Sequence, residues 1–135
     1  MFIHETKIRV RYGETDQMGY MYYGNYAEFY EVGRVEMLRS LGMTYRSMEE
    51  DGIIMPVLDL HCKYYKPAFY DEEITVKVIL DKFPGVRIHF KYELYNEEKV
   101  LINEGETILA FVDVKRKRPC LPPKDFQERL KQFFT

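Results

Sequence analysis

The sequence predicts an α+β fold in which a curved five-stranded antiparallel sheet wraps one long helix. Two observations lead there. An alternating segment near the start precedes a long stretch with helical spacing, and four further extended segments follow in near-continuous succession. Strands that come in a run after a helix, without βαβ alternation, favour an antiparallel sheet with the helix held to one face.

The first strand covers residues 5–12, with Ile8, Val10 and Tyr12 on one side and Lys7, Arg9 and Arg11 on the other. That period of two marks a half-buried strand. GETDQMG, at 13–19, is dense in turn formers and reads as a loop. From about Tyr22 to Leu41 the period becomes helical, with Tyr23, Tyr26, Ala27, Tyr30, Gly33, Met37, Leu38 and Leu41 mainly on one side. Glu28, Glu31, Arg34 and Arg39 cover the rest, and Glu31–Arg34 and Glu36–Arg39 have the spacing of i,i+3 ion pairs. Gly42 supplies the stop. A mid-helix glycine such as Gly33 costs about 1 kcal/mol against alanine, so its presence implies that a sheet packs closely on the helix. Thr44 caps a second, short helix through about Glu50, and Asp51-Gly52 breaks it.

Residues 53–66 are extended but interrupted by Pro56, which calls for an edge strand or a bulge. Residues 73–82 place Ile74, Val76, Val78 and Leu80 on one face. Residues 85–95 do the same with Val86, Ile88, Phe90, Tyr92 and Leu94, while Arg87, His89, Lys91 and Glu93 face away. Phe83-Pro84-Gly85 and Asn96-Glu97-Glu98 provide the turns, and 99–114 is the longest expected strand. A basic run, three prolines and a short amphipathic helix from about Lys124 close the chain. With no repeat or linker in view, residues 1–135 are expected to form a single domain.

Composition narrows the function classes. Hydrophobic residues at 46% and charged residues at 31% exclude a disordered chain. A net charge of -2, from 20 basic and 22 acidic residues, gives no basic excess for a nucleic-acid partner. Cys62 and Cys120 have no metal or redox spacing, and His4, His61 and His89 fall on separate elements, so no metal site is expected. The polar opening lacks a secretory h-region, and no apolar run reaches the roughly 18 residues of a membrane span. A soluble, cytoplasmic protein is the expectation. The 12 tyrosines and 9 phenylalanines suit an apolar ligand groove, although core packing would use them equally well.

The chemistry is concentrated between Arg11 and Tyr26, where RYGETDQMGYMYYGNY joins the first strand to the helix. A helix N-terminus offers unpaired N–H groups and a positive dipole end, suited to an anion or a developing oxyanion. A carboxylate beside it would complete the requirements of acyl-bond hydrolysis. Asp16 and Glu14 both stand close enough in sequence, and either also suits a turn or cap, so spacing alone leaves the choice open.

The string R-x-R-Y-x-E-T-D-x-x-G-x-x-Y-x-x-N-Y, from Arg9 to Tyr26, resembles the signature of the 4-hydroxybenzoyl-CoA thioesterase family of hot-dog proteins. FYEVGRVEMLRSLG (29–42), YYKPAFYDEEITVKV (64–78) and KRKRPCLPP (115–123) are similar to later stretches of that family, in the same order. The resemblance implies hydrolysis of an acyl-CoA with no metal or organic cofactor. Asp16 would be the nucleophile or general base, and backbone amides around Tyr23 and Gly24 would polarise the carbonyl. Many members carry a histidine where this chain has Tyr23, and a tyrosine is a poor base at neutral pH but a good donor. Tyr22, Tyr64 and Asn25 would line the substrate site, and Lys115, Arg116 and Arg118 would contact CoA phosphates. The family also implies a homodimer or homotetramer with the active site at a subunit interface. Aryl, short-chain and long-chain acyl groups all fit, as does an acyl-carrier protein in place of CoA. Two rivals share the fold: a non-hydrolytic acyl-CoA or acyl-carrier binding module, and a dehydratase or hydratase. The intact E-T-D motif speaks against the first, and the lack of a histidine between Asp16 and Tyr26 against the second.

Overall fold

The structure, a computed structural model, describes residues 1–134. Its main sheet has the spatial order β1 (Phe2–Arg9), β4 (Glu73–Leu80), β5 (Arg87–Tyr95), β6 (Leu101–Ala110), β3 (Val57–Tyr64), all neighbours antiparallel. Helix α1 (Tyr26–Ser40) lies against its concave face, followed by α2 (Tyr45–Glu50). Three short strands, β2 (Ile53–Ile54), β7 (Val112–Asp113) and β8 (Arg118–Pro119), make a second small sheet, and α3 (Lys124–Leu130) closes the chain. The helix wrapped by five antiparallel strands is as the sequence predicts.

Strict alternation builds the sheet. Every second residue of β4 and β5 is buried, from Ile74 to Leu80 and from Ile88 to Leu94. The other face carries ion pairs such as Lys77–Glu93 (3.7 Å) and Lys91–Asp81 (3.0 Å). Gly33 is where helix and sheet meet. A Cβ there would stand 2.7 Å from Val78 Cγ2 and 2.9 Å from Val76 Cγ1, so any larger residue would push the helix off the sheet. One turn earlier, the Tyr30 ring stacks on Tyr92 of β5 with centroids 4.2 Å apart.

Several boundaries differ from expectation, each for a local reason. Strand β1 ends at Arg9, so Tyr12 lies in a 3-10 turn (Tyr12–Glu14) and is exposed. The helical stretch opens with a 3-10 turn, Tyr23–Asn25, which leaves Tyr23 exposed and off the apolar face. Strand β6 stops at Ala110. The Phe111 N–H bonds to Val86 O (2.9 Å), and the Phe111 carbonyl accepts from Cys120 N (2.8 Å), which turns the chain into β7. Val86 precedes β5 and is partly exposed.

Arg34 is the largest correction. Its expected ion pair with Glu31 is absent among the described residues, although Glu36 and Arg39 do pair. Arg34 is only 5% exposed. Its Nη1 donates to Tyr92 Oη (2.9 Å) and its Nε to Tyr45 Oη (3.3 Å). Position 34 is four residues after Tyr30 and four before Leu38, so helical geometry places it on the buried stripe whatever its charge.

Candidate active site

The loop after β1 is built to display one carboxylate and retire another. The Glu14 side chain is buried, with Oε1 accepting from the Arg11 backbone N–H (2.8 Å) and Oε2 from Arg11 Nη2 (3.1 Å). Glu14 is thus committed to its own turn. Beyond it, Thr15 bridges Met21, the Asp16 N–H donates to Tyr20 O (2.8 Å), and Gly19 takes φ +80°, closing a tight hairpin. Asp16 sits at its start. Its Oδ1 accepts the amides of Met18 (2.9 Å) and Tyr20 (3.3 Å), while Oδ2 accepts nothing from the described residues.

The helix start is tied to this hairpin through a single atom. The carbonyl oxygen of Glu14 accepts both the Tyr22 N–H (2.7 Å) and Asn25 Nδ2 (2.8 Å). Asn25 therefore bridges loop and helix, and it makes no side-chain cap. Further along, the Asn25 N–H bonds to Tyr22 O (2.9 Å) and the Tyr26 N–H to Tyr23 O. The amides of Tyr23 and Gly24 have no acceptor among the described residues. These two donors stand at the positive end of α1, free for a ligand. Gly24 keeps room for the Tyr22 ring, whose Cε2 would be 2.7 Å from a Cβ at that position.

Carboxylate and helix start open into a common cavity of about 270 Å³, lined by Asp16, Tyr23, Tyr26, Tyr64 and Lys66 with Met18, Tyr20, Met21, Tyr65 and Pro67. The rings of Tyr26 and Tyr64 meet edge to face with centroids 5.0 Å apart. Burial pushes the Tyr26 phenol above its ordinary pKa, so it stays neutral. Apolar ring faces with a few polar tips are the make-up of a small-molecule pocket.

Of the residues singled out in the sequence, Asp16, Tyr23 and Tyr64 line this cavity and Gly24 adjoins it. Tyr22 lies against Tyr23 (4.6 Å) and over Gly24, and Asn25 stands behind on the Glu14 carbonyl; neither is in the lining. Lys115 and Arg116 form an exposed turn whose amides bond to Asp113 Oδ1 (3.0 and 3.1 Å), and Arg118 begins β8. These three basic residues lie outside the cavity lining. Tyr65, Lys66 and Pro67 entered the pocket without being singled out, although they follow Tyr64 directly in the YYKPA run. Tyr26, on the helical stripe, had nothing to separate it from a core residue. Among the described residues no three His, Cys, Asp or Glu side chains are grouped to hold a metal, and no helix is long and apolar enough to cross a membrane.

Comparison with known proteins is consistent across sequence and structure. The sequence profile of the Thioesterase-like superfamily matches residues 10–130. An Escherichia coli protein named acyl-CoA thioester hydrolase YbgC is 30% identical over 93% of this chain and 93% of its own length. A crystal structure of a DHNA-CoA thioesterase from Staphylococcus aureus superposes with a TM-score of 0.92 at 38% identity, covering 98% of this chain and 91% of that one. A second Staphylococcus aureus protein, solved in complex with CoA, shares the fold at 16% identity and a TM-score of 0.89, over 98% of this chain and 84% of that one. With its five antiparallel strands around α1, the chain has the hot-dog fold and belongs to the Thioesterase-like superfamily.

Proposed function

We propose that this chain is an acyl-CoA thioesterase, cleaving its substrate to the free acid and CoA, with Asp16 as the catalytic carboxylate. The observation that carries the reading is one cavity lined by Asp16, whose Oδ2 has no partner among the described residues, and by Tyr23, the first of two adjacent helix-start residues whose amides have no acceptor among them. Within the superfamily, the Arg9–Tyr26 motif favours the branch that resembles 4-hydroxybenzoyl-CoA thioesterases.

In the general-base form, a water oxygen attacks the thioester carbon as Oδ2 takes its proton. Charge moves onto the carbonyl oxygen, where the Tyr23 and Gly24 amides stabilise it. Collapse breaks the C–S bond, and the leaving CoA sulfur takes the proton back from Asp16. In the nucleophilic form, Oδ2 itself attacks, CoA thiolate leaves, and water hydrolyses the resulting mixed anhydride. Neither route calls for a metal or an organic cofactor. Tyr23 enters through its backbone N–H, so the missing histidine is not needed. The cavity lining contains no histidine, which counts against a dehydratase.

The same reading covers assembly. We assign a homodimer, or a tetramer of two dimers, on strand β3. No described strand pairs with its outer edge, and Leu58, Leu60 and Tyr64 lie exposed along it. Such an edge is a template for a second copy. Tyr64, the last residue of β3, and Tyr65 just after it line the cavity, so the pocket would be completed at the interface. Lys115, Arg116 and Arg118 are assigned to the CoA phosphates, and Tyr22 and Asn25 to the walls and support of the substrate site. The free thiols Cys62 and Cys120 favour the cytoplasm, and residues 1–135 act as one domain.

The test is release of free thiol from acetyl-, hexanoyl-, palmitoyl- and benzoyl-CoA, comparing wild type with Asp16→Asn. Turnover of at least one substrate is expected, with a loss on the order of a hundredfold or more in the variant. No turnover of any acyl-CoA would sink the assignment, and full activity in Asp16→Asn would remove Asp16 from it.

A further inference from the structure

Tyr64 was expected to touch substrate, yet its hydroxyl is already engaged elsewhere. It donates to the carbonyl oxygen of Tyr23 at 3.1 Å. The Tyr26 N–H also donates to that oxygen, so the carbonyl is held at two points. A peptide unit is planar and trans, so the Tyr23 C=O and the Gly24 N–H are opposite ends of one rigid plate. Holding the oxygen aims the hydrogen. Because amides at a helix start point out of its N-terminal end, the Gly24 N–H projects where a developing oxyanion would sit.

Electronic support accompanies the orientation. A donor on the carbonyl polarises the amide and strengthens its N–H as a donor in turn. The Tyr64 ring is itself located by the buried Tyr26, edge to face at 5.0 Å. Desolvation and the nearby Cys62 thiol push the Tyr64 phenol well above its ordinary range, so it keeps its proton at any working pH. Tyr64 is 50% exposed, and loss of one hydroxyl there leaves its ring packing in place.

We propose that Tyr64 is a positioning residue that acts through the Tyr23–Gly24 peptide to aim and strengthen the Gly24 amide as an oxyanion donor. The inference rests on the thioesterase reading given above, with Gly24 as a donor to the thioester carbonyl.

The decisive variant is Tyr64→Phe, assayed with the acyl-CoA that wild type cleaves fastest among the four named above. The expected result is a fall in kcat of about tenfold, less than the hundredfold or more that follows outright loss of a donor, with KM and Tm unchanged. A rise in KM with kcat intact would mean that the hydroxyl binds substrate directly, and would overturn the proposal. So would unchanged kinetics. Infrared difference spectra of the same acyl-CoA, labelled with ¹³C at the carbonyl and bound to Asp16→Asn, give a second readout. The carbonyl stretch should move to lower frequency on binding, and the added Tyr64→Phe change should reverse part of that shift. A full shift retained in the double variant overturns the role of Tyr64 alone. No shift in Asp16→Asn itself overturns the oxyanion reading and the proposal together.

Discussion

Asn25 and Glu14 are eleven residues apart, yet Nδ2 of the first donates to the carbonyl of the second at 2.8 Å. This is the only side-chain hydrogen bond, among the described residues, from the helix start to the loop that carries Asp16. With the Tyr22 N–H on the same oxygen (2.7 Å), it ties the helix start to the loop that carries the carboxylate.

Replacing Asn25 by Asp keeps the shape and removes the donor, setting a carboxylate against a carbonyl. We expect kcat to fall by about tenfold from misplacement of the reacting groups, with KM little changed and stability lower by about 1 kcal/mol. The sign of the pH effect follows from the chemistry. Below the pKa of the introduced carboxyl group its O–H donates to Glu14, so the ratio of variant to wild-type kcat should rise as pH falls through that value. A ratio that stays flat from pH 8 to below the pKa of the introduced carboxyl group, ordinarily about 4, argues against the tether.

Arg34 offers a prediction about stability alone. Arg34→Met removes both donors from the hydroxyls of Tyr45 and Tyr92, and Arg34→Lys cannot span the two. A loss of about 2–3 kcal/mol is expected for Arg34→Met, and a smaller loss for Arg34→Lys, read from urea midpoints at constant slope. A change below about 0.5 kcal/mol, the range of ordinary surface substitutions, would show the buried guanidinium to be incidental.

The exposed edge of β3 makes a prediction about assembly. Leu60 is 43% exposed, so Leu60→Glu should fold normally while placing charge on the edge. Light scattering should show wild type as a dimer or tetramer and the variant shifted toward monomer. Thiol release should fall with it, because Tyr64 and Tyr65 line the cavity at that edge. A monomeric variant of full activity would place the whole site within one chain.

Much of this architecture is visible in periodicity. The alternation of Ile74 to Leu80 and of Ile88 to Leu94, the cap at Thr44, which accepts from Ser47 N at 3.0 Å, and the stop at Gly42 all rest on local rules. The charge of Arg34 argues for the surface and its place on the helical stripe for the core; position prevails because the phenol that satisfies it, Tyr92, comes from 58 residues away. Spacing alone leaves Glu14 and Asp16 open for the same kind of reason, and only the family resemblance favours Asp16. Both precede α1, and the engagement of the Glu14 carboxylate by Arg11 is a contact that spacing does not disclose. Partners that meet through tertiary folding leave no trace in spacing, whereas a pleat or a helical turn does.

The contact of Gly33 with Val76 and Val78 has a mechanical consequence at the other end of the helix. Gly24 stands nine residues before it, about 14 Å away at helical rise. If that contact is a fulcrum, the first turns of α1 are a lever arm. A tilt of about 5° about the contact moves the Gly24 amide by about 1 Å, a displacement that is worth on the order of a hundredfold in rate. Under the proposed mechanism, the close packing of Gly33 in the core would therefore govern the alignment of the amides at the surface, at a point remote from the cavity.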